Sequence, residues 1–244
     1  SVMKLSEAVR GVSGTLAADG EFSCIAFATE QEQSQFLTFL EKEKFLPALD
    51  NSKISCVLTT SALAEKIPPH IKGVFLCDRP KAALFEIHNR LARHPDYVGA
   101  SAATVVGEGC SISPLAAIDC ENVVIGDRVT IEPFVVIKGR VIIGNDVTIR
   151  SGAVIGCKGF SFSKDAQGQN VSVEDTARII IEDHVEIFEQ VAISTGIFPW
   201  EETRIGENTK VDAQCHIGHG AHIGRNCLLA EGSRCCGNSR VGDH

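Results

Sequence analysis

Aliphatic residues recur every six positions through the second half of the chain: Val106, Ile112, Ile118, then Ile125, Ile131, Ile137, Ile143, Ile149 and Ile155. Only the step from Ile118 to Ile125 takes seven residues. The pattern returns at Ile181, Ile187 and Ile193, and again at Ile205, Val211, Ile217, Ile223, Leu229, Cys235 and Val241. Glycine often follows, as at Gly107, Gly126, Gly144, Gly206, Gly218 and Gly224, and the fifth position is small or β-branched. Self-similarity sustained over so many units marks a solenoid. Each hexad supplies one short strand, and three hexads close a coil of 18 residues. First-position side chains stack inside the resulting triangular prism, and neighbouring coils satisfy each other's backbone hydrogen bonds. Small fifth-position residues are expected where the chain turns a corner.

The first half follows a different rule. Ile54, Cys56 and Leu58 alternate with Ser55, Val57 and Thr59, the period of a strand with one buried face. A second, continuously apolar strand covers Gly73 to Cys77. Asp78-Arg79-Pro80 then reads as a helix start, with Asp78 as cap and Pro80 in the first turn. The stripe Leu84, Ile87, Leu91 continues that helix, and Arg93, His94 and Pro95 close it. The expected architecture is a small α/β domain over residues 1–98 followed by a parallel β-solenoid over 99–244. Insertions leave the solenoid at about 157–180 and 194–204. Ile197, Phe198 and Trp200, in the second insertion, are expected to be exposed in a monomer and covered by assembly.

Composition narrows the function classes. With 44% hydrophobic and 22% charged residues in 244, wholesale disorder is excluded. A formal net charge of −8 argues against general nucleic-acid binding. No apolar run reaches the roughly 18 residues of a membrane span, and SVMKLSEAVRG lacks the pattern of a secretory signal. The ten cysteines form no CxxC pair, so they read as reduced thiols of a cytoplasmic protein, most of them small apolar fillers.

Chemistry gathers in His216-Ile-Gly-His219-Gly-Ala-His222. Three readings are open: three imidazoles binding zinc, ordinary structural histidines, or a general base at His219. Successive hexads lie on different prism faces, which counts against convergence of all three within one chain. The coil period stacks Gly237 over His219 and Arg234 over His216. It also aligns Arg204, His222 and Arg240 as a basic ridge, either a solvated face or a seat for phosphate or an acidic carrier protein.

The stretch Val211-Asp212-Ala-Gln-Cys-His216-Ile-Gly-His219 with Gly-Ala-His222-Ile-Gly224 resembles the active-site segment of the UDP-3-O-acylglucosamine N-acyltransferases. Val154 to Phe162, including Phe160, Arg178 to Ile187, and Leu37 to Phe45 are similar to further segments of that family, in the same domain order. The resemblance implies a left-handed β-helix of hexapeptide repeats and a cytoplasmic homotrimer with sites between neighbouring prisms. It implies transfer of a hydroxyacyl group from acyl carrier protein, or from coenzyme A, to the amino group of a UDP-amino sugar in lipid A biosynthesis. No cofactor and no metal are implied, since the acyl thioester is a substrate. By the same resemblance His219 is the base, Asp212 its acidic companion, and Gly237 the amide that steadies the oxyanion. Phe39, Lys42 and Phe45 fall on the uridine segment; Phe160, Phe162, His216, His222, Arg234 and Arg240 complete the substrate-binding set.

Departures are visible too. Lys42 and Phe45 stand where the family has Asn and Tyr, and Ser194 to Trp200 replaces a shorter Asp-Arg-Gly turn. The chain ends at His244 inside a repeat unit, without the family's later coils, further histidine and C-terminal helices. These departures support a catalytically silent or scaffolding homologue, and the histidine cluster leaves open a zinc-dependent hydratase of the carbonic anhydrase kind.

Overall fold

The computed structural model describes residues 2–244. Two compact units divide them, Ser1–Gly99 with Ser161–Glu174, and Ala100–Phe160 with Asp175–His244.

The first unit is built on five strands: β1 (Thr15–Ala18), β2 (Cys24–Ile25), β3 (Phe36–Leu40), β4 (Ile54–Thr59) and β5 (Gly73–Leu76). Their order is β1-β5-β4-β3-β2, with β2 to β5 parallel and β1 antiparallel at the edge. Strand β4 is more deeply buried than its alternation implies. Val57 and Thr59 are sealed as fully as Ile54, Cys56 and Leu58, because a central parallel strand is covered on both faces. Helix α1 (Pro80–Leu91) buries Ala83, Leu84, Phe85, Ile87 and His88. Its cap residue is Arg79, not Asp78: Pro80 takes the first helical position, so the residue before it occupies the boundary.

The hairpin Phe162–Lys164 with Asn170–Ser172 belongs to this first unit, which corrects the expected boundary. Hydrogen bonds to α1 and its cap residue explain why. Arg79 donates to the carbonyls of Lys164 (2.7 Å) and Asp165. Asn89 donates to Ser172 O and accepts from the Glu174 N–H, both at 2.9 Å. Buried His88 donates from Nε2 to Glu174 O (2.9 Å), and its Nδ1 meets the Tyr97 hydroxyl at 3.0 Å. Burial pushes this imidazole's pKa down, in keeping with a neutral ring that donates on one side and accepts on the other.

The second unit is a parallel β-helix of three sheets. Face one has seven strands, from Val105–Val106 to Arg240–Val241; face two has six, from Ser111–Ile112 to Leu228–Leu229; face three has six, from Ala117–Ile118 to Arg234–Cys235. Both insertions preserve register: Ile143 pairs with Ile181, and Ile181 with Ile205. The inward column is aliphatic and sealed, with Ile131, Ile149, Ile187, Val211, Ile137, Ile155, Ile193 and Ile217 all buried.

Corners are made differently from the expectation. The fourth hexad position turns the chain by adopting positive φ, as at Arg128, Phe134, Asp146, His184, Asn208, Gln214 and Asn238. Fifth-position side chains such as Val129, Val147, Val185, Cys215 and Ala221 point instead into the core. Their small size fits the prism's interior near its edges rather than the turn itself.

The second insertion also departs from expectation. Ile197 and Phe198 are buried, and the Trp200 ring stacks on Phe198 with centroids 6.0 Å apart. Glu201 accepts from the amides of Ile197 (2.9 Å) and Phe198 (3.3 Å), folding the loop on itself. Exposed apolar surface lies elsewhere, in the outward column Val105, Val124 and Ile142 of face one.

Candidate functional site

His219 occupies the corner between faces three and one, just after the strand His216–Ile217. Its backbone is fixed on three sides. The Gly218 N–H donates to Cys235 O (2.8 Å), and Asn238 N–H donates to His219 O (2.8 Å). Gly220 is gripped on both sides: its N–H donates to Thr203 Oγ1 (2.9 Å), and its carbonyl accepts from the Arg240 guanidinium (2.7 Å). Gly220 has φ +66 at the fourth-position corner, and a Cβ there would strike the Asn238 side chain, so a larger residue would require Asn238 to move.

The imidazole lies directly against Gly237, one coil on. A Cβ on Gly237 would collide with His219 Nε2 and meet Cε1 at 2.7 Å. Ring and bare peptide are thus brought into contact by the ladder. His216 is exposed in the outward column of face three between Ala192 and Arg234, itself exposed. His222 stands in face one between Arg204 and Arg240 and donates from Nε2 to Glu202 O (3.0 Å). Burial, then the neighbouring Arg240, push the His222 pKa down. The three histidines therefore occupy two faces and the corner between them. Among the described residues, no three His, Cys, Asp or Glu side chains gather closely enough to hold a metal ion.

The basic ridge is partly neutralised. Arg204 bridges Glu182 (2.5 Å) and Glu202 (2.9 Å), and Glu202 also pairs with Arg178. Burial alone would raise the Glu202 carboxyl, but hydrogen bonds from Arg204 and Arg178 outweigh it and hold the group below its ordinary range.

Asp212 is not brought to His219 within the chain. It follows Val211 of face two, so it stands at the corner between faces two and three, exposed, with its carboxylate accepting from the Ala213 N–H (2.8 Å). Phe160 is 95% exposed in the second unit, whereas Phe162 lies in the first. On the first unit, Phe39 meets Phe27 edge-to-face at 6.3 Å. Lys42 is exposed, and Phe45 lies exposed beneath the Lys44 ammonium, 4.8 Å from the ring centroid. A cavity of about 420 Å³ opens in this unit among Val12, Cys77, Arg79, Phe85 and the hairpin residues Lys164 and Asp165; Phe39, Lys42 and Phe45 do not line it.

Cysteines mostly fill space, with Cys56, Cys77, Cys215 and Cys227 buried, but Cys120 and Cys236 are exposed. Burial pushes the thiols of Cys24, Cys56 and Cys77 up to about 11, which makes them poor nucleophiles. The residue that sequence reasoning overlooked is Thr203, fully buried at a fifth position. A hydroxyl where most coils carry Val, Ala or Cys was the available signal.

The bacterial transferase hexapeptide (six repeats) family model matches residues 122–157 and 202–237. A UDP-3-O-acylglucosamine N-acyltransferase from Bradyrhizobium sp. (strain BTAi1) is 29% identical over 239 residues, 83% of this chain and 64% of that protein. The enzyme of that name from Coxiella burnetii (strain Dugway 5J108-111) is 28% identical over 251 residues, 93% of this chain and 72% of its own length. A solved UDP-N-acetylglucosamine acyltransferase from Bacteroides fragilis aligns at TM-score 0.47 and 32% identity, covering 56% of this chain and 49% of that one. The chain is a hexapeptide-repeat protein of the bacterial transferase class. Within that class it is similar to the UDP-3-O-acylglucosamine N-acyltransferases along most of its length, and it spans 64% of the first of these relatives and 72% of the second.

Proposed function

We propose that the chain moves a hydroxyacyl group from a carrier-protein or coenzyme A thioester to the amino group of a UDP-amino sugar, as its relatives' name describes. The observation that carries this reading is the His219 imidazole packed against the backbone of Gly237. The sugar's amine attacks the thioester carbonyl while His219 removes the proton from nitrogen. The Gly237 N–H steadies the tetrahedral oxyanion, and collapse expels the thiolate, which regains a proton from the imidazolium. No cofactor enters, because thioester and amine react once aligned. Phe39, Phe45 and Lys42 offer two ring faces and a cation to a uridine nucleotide. Phe160 offers apolar area to the sugar's acyl chain, and His216, His222, Arg234 and Arg240 offer hydrogen-bond donors and charge to the donor's phosphates.

The assembly in this reading is a cyclic trimer. It would cover the Val105, Val124 and Ile142 column, and it would let the Asp212 corner of one protomer approach the His219 corner of the next. No described helix is long and apolar enough to cross a membrane. A cytoplasmic setting suits the free thiols. The test is thioester consumption with UDP-sugar acceptors that carry or lack the amine. Amine-dependent release of free thiol is expected. Equal rates with both acceptors, or none with either, would refute the assignment and favour a scaffolding homologue.

A further inference from the structure

We propose that Thr203 is a positioning residue for His219, a role that rests on the reading of His219 as the base. Thr203 is fully buried, and its hydroxyl is used in both directions. It donates to Ser194 O at 2.8 Å, and it accepts the Gly220 N–H at 2.9 Å. Gly220 is the residue immediately after His219, so this hydroxyl sets the height of the turn from which the imidazole projects. Arg240 holds the carbonyl of the same residue, in the next peptide, at 2.7 Å from Gly220 O. The His219 carbonyl is fixed by Asn238, at 2.8 Å. With three anchors the backbone has little freedom, and Gly237 leaves the ring no room to drift toward the next coil. The buried anchor is the one water cannot readily replace, since Gly220 and Thr203 are both shielded from solvent.

The chain carries its own control. Thr209 is also fully buried at a fifth position, donates to Gly224 O (2.7 Å) and accepts the Cys227 N–H (3.0 Å). It performs the same structural service at a corner without a histidine. A role in general solidity predicts that the two threonines behave alike; a role in placing His219 predicts that they separate.

The experiment compares Thr203→Val, Thr203→Ser and Thr209→Val in acyl transfer and in the ring proton and carbon NMR signals of His219. Thr203→Val should lower kcat about tenfold or more with KM little changed, the scale expected for a misplaced catalytic group. Thr203→Ser, which keeps the hydroxyl, should restore most of it, and Thr209→Val should leave kcat near the parent value. The His219 ring signals should move in Thr203→Val and stay in place in Thr209→Val. Should valine not fold at residue 203, Thr203→Ala repeats the comparison without the branched bulk. Equal kcat losses in the two valine variants, failure of serine to rescue, or an unmoved His219 signal would overturn the proposal. A parent protein that transfers no acyl group would refute the transferase reading alone, and the ring signals would still decide the positioning claim.

Discussion

The early and late coils of the β-helix share one interior and differ in almost everything outside it. On face one the outward column runs Val105, Val124, Ile142, Ile180 and then, without any break in register, Arg204, His222, Arg240. Face three changes in the same way, from Ala117, Val136, Val154 and Ala192 to His216 and Arg234. Inside, Ile143, Ile181, Ile205 and Ile223 continue one buried stack through both regions. The inward aliphatics and the ladder hold the backbone, which leaves the outward positions free to carry chemistry. On these two faces early coils spend that freedom on apolar surface and late coils on the charged and imidazole groups around His219, whereas face two runs from Ser111, Thr130 and Thr148 to the exposed Leu228.

If that division is right, changing the late-coil corner should alter chemistry and spare the fold. His219→Ala should lower turnover by about 10² or more, the scale of a lost general base. Its circular dichroism and melting temperature should stay near those of the parent protein. Turnover within a few-fold of the parent would remove His219 from the mechanism.

An interior change should do the reverse. Ile149 is fully buried in the aliphatic stack, so Ile149→Ala should cost about 2–5 kcal/mol in denaturant unfolding. Turnover per folded molecule should be nearly unchanged. A selective loss of activity at full stability would mean that the interior is part of the site after all.

Legibility in the sequence follows the same division. A strict period of six exposes the inward stack, because every coil repeats one packing demand, and the column partners of His216, His219 and His222 follow by counting. Contacts that cross the period do not show. The hairpin's allegiance depends on Arg79, His88 and Asn89, which reach residues some 83 to 86 positions away. Burial of Phe198 depends on a loop that folds back on Glu201. Asp212 falls seven residues before His219, close in sequence, yet one prism corner away because each hexad moves the chain to the next face. Thr203 is hidden for a related reason: its partner, Gly220, lies 17 residues on, so the fifth-position hydroxyl marks the residue but not its contact.

Outward apolar residues of the early coils should matter for assembly and little for folding. Ile142→Glu places a charge in the middle of the Val105, Val124, Ile142 column, where a protein contact would have to bury it. The variant should show a smaller particle mass in light scattering at micromolar concentration, with the melting profile of the separate chain little changed. An unchanged mass would show that face one is not the assembly surface and that early coils are apolar for another reason.

The smallest expected effect concerns pH. His222 sits in the late-coil column with Arg204 on one side and Arg240 on the other, and its pKa is pushed down from 6.5 by burial first and by Arg240 next. Its bond to Glu202 O and the Glu202 carboxylate pull the other way without prevailing. A base whose folded pKa is lowered binds fewer protons folded than unfolded, so it contributes stability above the unfolded value and loses it as pH falls through that range. The melting temperature should therefore drop between about pH 7 and pH 5, the interval around an ordinary imidazole pKa. His222→Gln keeps an N–H for Glu202 O and cannot titrate, so its drop should be shallower. Part of the slope should survive, because His88 in the first unit is lowered by burial as well. The early coils place only Val105, Val124, Ile142 and Ile180 in this column, so no early-coil substitution there should flatten the curve. A slope in His222→Gln identical to the parent's would mean that the arginine column is solvated well enough to tolerate a third cation, and the contrast between early and late coils would then be one of shape alone.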